Sequence, residues 1–160
     1  MSIAAVRDYF KQFNMEDKIL EFPVSSATVE LAAQAAGVIP DRIAKSLSFK
    51  VDDKAILIIT AGDAKVDNSK FKQFFHTKAK MLSADEVTDL VGHAVGGVCP
   101  FALKDGVEVY LDRSMQRFDT VFPAAGSANS AIELTCQQLE QFSCHCKGWG
   151  DFCKGWQEEV

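Results

Sequence analysis

The sequence predicts an α+β fold with a mixed, curled β-sheet and flanking helices, and three observations carry that reading. Helical and strand-like segments mix along the chain without the strict strand–helix–strand repeat of a parallel α/β protein. The run Ala55-Ile56-Leu57-Ile58-Ile59-Thr60 is apolar without a break, as in a strand buried on both faces. It follows the strand Lys45 to Val51 across a tight Asp52-Asp53 turn, so the two read as a hairpin at the centre of the sheet. With 160 residues, 48% of them hydrophobic, the chain fits one domain, residues 1–160, with a sizeable core.

Taken in order, Ser2 caps a first helix to about Phe13, with Ile3, Val6, Phe10 and Phe13 at helical spacing. Ile19-Leu20-Glu21-Phe22 is a short strand stopped by Pro23. A second helix carries Val29, Ala32, Ala33 and Ala36 on its apolar face and ends at Gly37. Its small side chains allow close approach to a sheet. Pro40-Asp41-Arg42 turns the chain into the central hairpin, which Gly62-Asp63 ends, and a helix from about Asn68 to Phe75 follows. Ser83-Ala84-Asp85-Glu86 is a capping box for a helix ending near Gly92. Val107 to Leu111, Val121-Phe122 and Ala131 to Leu134 read as strands, and Thr135-Cys136-Gln137-Gln138 is a second capping box, opening a helix to about Phe142.

Charge narrows the function. The formal net charge is −5, whereas a protein that grips duplex nucleic acid broadly is basic, because phosphate neutralisation supplies most of the affinity. DNA is therefore not an expected partner, and an RNA partner would be touched at a small local site such as a single-stranded end. No apolar run approaches membrane-spanning length. The N-terminus becomes charged at Arg7-Asp8, too early for a secretory leader, so the expected location is the cytoplasm. Five cysteines, mostly towards the C-terminal end, argue against a disulfide framework.

One stretch stands out as candidate chemistry: Gly96-Gly97-Val98-Cys99-Pro100-Phe101. Glycines permit positive φ and close approach, and the proline stiffens what precedes it. Such a loop presents main-chain N–H groups that can bind a carbonyl, carboxylate or phosphate, or it is simply a turn. Lys45-Ser46 lies at the mouth of a strand, where a lysine stem can be covered while its ammonium points into a cleft; the other reading is a solubilising strand edge. Asp112 follows a strand and either orients a loop or water, or caps the next turn.

Ala44-Lys45-Ser46-Leu47, then Gly62-Asp63 with Val66-Asp67, then Gly97-Val98-Cys99-Pro100-Phe101, then Leu111-Asp112, resemble in order and spacing the YbaK/EbsC family. These are aminoacyl-tRNA deacylases related to the editing domain inserted in bacterial prolyl-tRNA synthetases, and the resemblance spans roughly residues 20 to 153. It implies a barrel-like mixed sheet and a hydrolase that removes a wrong amino acid from the 3′ acceptor end of mischarged tRNA, with prolyl-tRNA synthetase as a further candidate partner. No cofactor or metal is implied. Lys45 would contact the tRNA 3′ end and be a catalytic residue, important for activity. Gly96, Gly97, Val98, Cys99 and Pro100 would hold the aminoacyl carbonyl, with Gly97 central to catalysis and the substrate's own ribose hydroxyl helping to activate water. Thr28, Asp112, Gly126 and Ser127 would shape the pocket. The chain departs from the YbaK subgroup, which tends to carry an aromatic where Thr28 stands and Ser-Gly-Gly in place of Ala124-Ala125-Gly126. That points to the synthetase-editing-like branch, whose usual target is alanine on proline tRNA.

Four alternatives stay open at this stage. Cys99 would be a nucleophile if a neighbour such as His93 lowered its pKa. Cys144, His145, Cys146 and Cys153 would bind zinc if their unusual spacing closed. The lysines at 65, 70, 72, 78 and 80 form a basic cluster, either a solvated face or a contact for the acceptor-stem backbone. A protein that binds the aminoacyl-tRNA 3′ end without catalysis would share most of these features.

Overall fold

In the computed structural model, which describes residues 2–156, six strands join into one curled, mixed sheet. The side chain of Ser2, expected as a cap, and residues 157–160 of the tail lie outside the described residues. Helix α1 (Ser2–Lys11) stops before Phe13, because the chain turns at Asn14 with φ 57°. Strand β1 (Ile19–Glu21) leads to α2 (Val29–Ala36), which Gly37 ends in the left-handed conformation. Strands β2 (Ile43–Val51) and β3 (Lys54–Ala61) form the expected central hairpin, paired from Ala44 with Ala61 to Val51 with Lys54. Strand β2 begins two residues earlier than the sequence suggested, so Lys45 sits inside the pairing, opposite Thr60.

A two-residue strand that sequence reasoning did not anticipate, β4 (Lys65–Val66), precedes α3 (Asn68–Phe75). The capping box at Ser83 is present and opens α4 (Ala84–Glu86), which widens into a π-helical turn over Val87–Val91 before Gly92. Next come β5 (Glu108–Asp112) and β6 (Thr120–Pro123). The single strand expected over 131–134 is instead two, β7 (Ser130–Ile132) and β8 (Leu134–Thr135). They pair with different partners, β7 with β1 and β8 with β6, so the chain breaks at Glu133. Helix α5 (Cys136–Phe142) has its capping box at Thr135 as expected, and β9 (Cys146–Gly150) and β10 (Cys153–Lys154) complete the order.

The sheet order is β8-β6-β2-β3-β5-β9, with β2–β6, β3–β5 and β5–β9 parallel. Parallel neighbours require crossovers, and these carry the helices onto the sheet. Leu57, Ile58 and Ile59 of β3 are fully buried, as an uninterrupted apolar strand should be. On one side Phe10 packs edge-on against Phe101 and Phe142, with ring centroids 4.7 and 5.7 Å apart. A second, smaller apolar cluster joins Ala32 and Ala33 of α2 to Ile43 and Phe122, so α2 lies close over β2 and β6. The small side chains foreseen in this helix make that approach possible.

Asp112, fully buried at the end of β5, accepts hydrogen bonds from the backbone amides of Ser114 (3.0 Å) and Phe152 (2.8 Å). Asp112→Ala would leave both donors buried without an acceptor, so the unfolding free energy is expected to fall by about 3 kcal/mol. Urea denaturation measures this, and a loss below about 1 kcal/mol would mean that these bonds do not hold β5 to the tail.

Candidate functional site

The cavity lies where α2, β2, β6 and the glycine loop meet. It encloses about 330 Å³, and its walls include Thr28, Ala32, Ala44, Lys45, Gly96 and Val98. Phe122, Ala124 and Ala131 close the apolar side, and the exposed side chains of Met81 and Val95 stand at its rim. That volume is at the small end of the range for ligand pockets.

Lys45 and the loop, 51 residues apart in sequence from Lys45 to Gly96, therefore share one hollow. The half-buried ammonium of Lys45 donates to the Gly62 carbonyl at 3.5 Å. Burial lowers its pKa below the ordinary lysine value, and the charge of Lys65 adds to that, while Cys153, Asp63 and Glu30 oppose it. Gly62 is itself a close-approach position: a Cβ there would lie 2.0 Å from the Pro40 carbonyl oxygen and 2.8 Å from Val29 Cγ1. Its backbone thereby packs closely against α2 and the Pro40 turn, with its carbonyl in reach of Lys45. Thr28 has two parts in the structure. Its hydroxyl accepts from the Leu31 amide at 3.2 Å as the N-cap of α2, and it lines the cavity.

The loop differs from expectation at its centre. Gly97 does not line the cavity, and its amide donates to the Ala94 carbonyl at 3.0 Å, so the direct carbonyl-holding role expected of it does not stand. Its part is steric: a Cβ on Gly97 would come within 2.8 Å of Gly126 C and Ser127 N. Two backbone segments touch there, which is where Gly126 and Ser127 enter, behind the wall and not in it. The Ser127 hydroxyl bonds Ser130 Oγ at 2.7 Å, and Ser130 lines the cavity. Gly96 turns with φ 95°. Among the described residues the amides of Gly96 and Val98, two of the residues that line the cavity, donate to no acceptor.

Cys99 and Pro100 are buried behind the loop, away from the cavity. His93 does lie beside Cys99, with Nε2 3.5 Å from Sγ. That nitrogen is also 2.7 Å from the Phe101 carbonyl, which can only accept, so Nε2 carries the proton and cannot take one from the thiol. Burial pushes the Cys99 thiol up to about 12 and lowers the His93 pKa, the opposite of what a thiolate–imidazolium pair needs. Asp112 also lies outside the cavity, which corrects its expected place in the pocket. It acts at a distance: it holds the Ser114 turn, Ser114 Oγ accepts from the Ala61 amide at 3.1 Å, and Ala61 precedes Gly62.

Sequence reasoning missed Ser26, Ser48, Met81, Val95, Phe122 and Ser130 as cavity residues. They sit on segments brought together only by pairing, such as Ser130 on β7, so no local signal marked them. In the Cys/His-rich tail, His145 Nδ1 bonds the Val107 carbonyl at 2.7 Å, and among the described residues no three His, Cys, Asp or Glu side chains converge as a metal site.

Comparison with known proteins gives a consistent result. Residues 24–142 match the aminoacyl-tRNA editing domain family. A Bacillus subtilis (strain 168) protein, the uncharacterized protein YwhH, is 56% identical over 98% of this chain and 100% of its own length. A proline–tRNA ligase of Bacillus licheniformis is 30% identical over 66% of this chain, which spans 18% of the ligase. Among solved structures, one provisionally described as a trans-editing enzyme for prolyl tRNA synthetase superposes with a TM-score of 0.86 at 26% identity, covering 96% of this chain and 98% of that one. The hypothetical protein APE2540 superposes with a TM-score of 0.83 at 23% identity, over 94% of this chain and 99% of that one, a likeness of fold.

Because its thiol is buried and protonated, Cys99 is expected to resist alkylation in the folded protein at neutral pH, while the partly exposed Cys136, Cys144 and Cys146 react first. Peptide mass spectrometry after timed labelling reads the order. Early labelling of Cys99 with matching loss of ester hydrolysis would restore it as the nucleophile.

Proposed function

Because the chain belongs to the aminoacyl-tRNA editing domain family, we propose that it is a trans-editing hydrolase that deacylates mischarged tRNA, with alanine or another small amino acid on proline tRNA as its substrate. The observation that carries the reading is the shared hollow: a half-buried lysine on one wall and two unpaired backbone amides on another. An aminoacyl ester is already labile, so its hydrolysis needs an oriented water and stabilisation of the developing oxyanion more than a covalent nucleophile. The amides of Gly96 and Val98 hold the ester carbonyl as its oxygen gains charge. Lys45 anchors the 3′-terminal adenosine or its phosphate, and the ribose hydroxyl of the substrate helps to activate the water. The walls built by Ala32, Ala44, Ala124 and Ala131 leave room for a small side chain and crowd a large one. The reaction belongs in the cytoplasm, with prolyl-tRNA synthetase as the source of the mischarged tRNA.

A panel of mischarged tRNAs, mixed with sub-stoichiometric protein, tests the reading by loss of the ester. Alanyl-tRNA(Pro) is expected to be cleared, and Lys45→Ala to lower the rate at least about a hundredfold with the fold intact. A protein that protects the ester would be a binder instead, and unchanged turnover in the variant would reject the role of Lys45. The pH dependence has a definite sign. The working form of Lys45 is the ammonium, so enzyme-dependent hydrolysis, corrected for spontaneous loss, declines on the alkaline side, starting below the ordinary lysine value of 10.5 because burial lowers this pKa.

A further inference from the structure

The lysines at 65, 70, 72, 78 and 80 do not form one uniform patch. Lys70 is fully engaged, donating to Asp151 Oδ1 at 2.9 Å and to the Cys153 carbonyl at 2.8 Å. Lys65 is placed differently. Strand β4 pairs antiparallel with β10, and the register sets Lys65 directly opposite Lys154. Like charges in that position repel, with their Cβ atoms about 5 Å apart. Among the described residues, three carboxylates close to the pair in sequence are engaged elsewhere. Asp63 is held by both terminal nitrogens of Arg117, at 3.0 and 2.6 Å. Asp151 pairs with Lys70 and Arg113. Asp67 caps α3, accepting from the amides of Ser69 and Lys70, with Lys154 only as a neighbouring charge. Among the described residues neither Lys65 nor Lys154 has an ion-pair partner, although the chain carries an acidic excess of five charges.

The pair also stands next to the cavity. Lys45 Nζ lies 3.5 Å from the Gly62 carbonyl, and Lys65 follows Gly62 by three residues, a reach of about 10 Å at most. A ligand whose end enters the cavity beside Lys45 therefore has nearby two exposed ammonium groups that lack an ion-pair partner among the described residues. Resting on the editing reading above, we propose that Lys65 and Lys154 form a phosphate-binding pair for the single-stranded 3′ end of tRNA, taking the phosphodiester backbone upstream of the nucleotide held at Lys45. This is how an acidic protein gains a local hold on RNA without a broad basic face: the repulsion within the pair is relieved when an anion arrives.

The test is the double variant Lys65→Gln/Lys154→Gln, which removes a repulsion and is expected to fold. Binding of a single-stranded RNA oligonucleotide ending in CCA is measured across a range of KCl concentrations. Each phosphate contact on a single strand contributes about 0.7 to the slope of log affinity against log salt, so the variant's slope should be shallower by about 1.4. Parallel slopes would overturn the proposal. In parallel, kcat/KM is compared on alanyl-tRNA and on alanyl-adenosine, which has no phosphate. The preference for tRNA should narrow by roughly three- to tenfold. Equal losses on both substrates, or none on tRNA, would also overturn it. If the wild-type protein deacylates neither substrate, the editing reading fails, and the salt slope still decides the fate of the pair.

Discussion

Two stretches of backbone touch where Gly97 meets Gly126 and Ser127, and the site depends on that contact. A single added methyl on Gly97 would stand 2.8 Å from backbone atoms that cannot swing aside as a side chain can. Because the segments close directly on each other, only a residue without a side chain fits at position 97. Gly96 and Val98, on either side of the contact, line the hollow, and among the described residues their amides have no acceptor. Pre-set donors of this kind need no reorganisation as charge develops on a bound carbonyl, which is the condition under which such groups are most effective.

The opposite wall is held by a relay of hydrogen bonds. Asp112 fixes the Ser114 turn, Ser114 fixes the Ala61 amide, and the carbonyl of Gly62 beside it receives Lys45. None of the intermediate groups enters the cavity. The effect is to hold a lysine partly out of water, where its charge is felt more strongly by any anion that comes near. The neighbouring Asp63 favours that charge without forming an ion pair with it, since its carboxylate is held by Arg117.

Much of this was legible in the sequence where the signal was local. The central hairpin followed from an apolar run that no exposed strand could carry, and both capping boxes appeared at Ser83 and Thr135 with the reciprocal bonds their residues imply. Lys45, Thr28, Gly96 and Val98, singled out in the sequence, line one cavity. What failed was whatever depends on register or packing partners. Residues 131–134 have strand character throughout, yet β1 and β6 claim different halves of the segment. A polar residue after a strand, such as Asp112, reads alike whether it faces a pocket or a buried turn, and only the bonds to Ser114 and Phe152 tell them apart. The glycine pair was noticed for its freedom, but which of the two would give its amide to a ligand was set by Ala94, a partner no motif contains.

The central claim is that the aminoacyl end of tRNA sits between Lys45 and the amides of Gly96 and Val98. The most direct measurement is a backbone NMR titration with 3′-alanylamido-adenosine, an amide analogue that resists hydrolysis. The predicted result is saturable movement of the Gly96 and Val98 amide signals, with Lys45, Thr28 and Ser130 following. Movement confined to a face remote from the cavity, such as β9 and the outer side of α5, would contradict the claim.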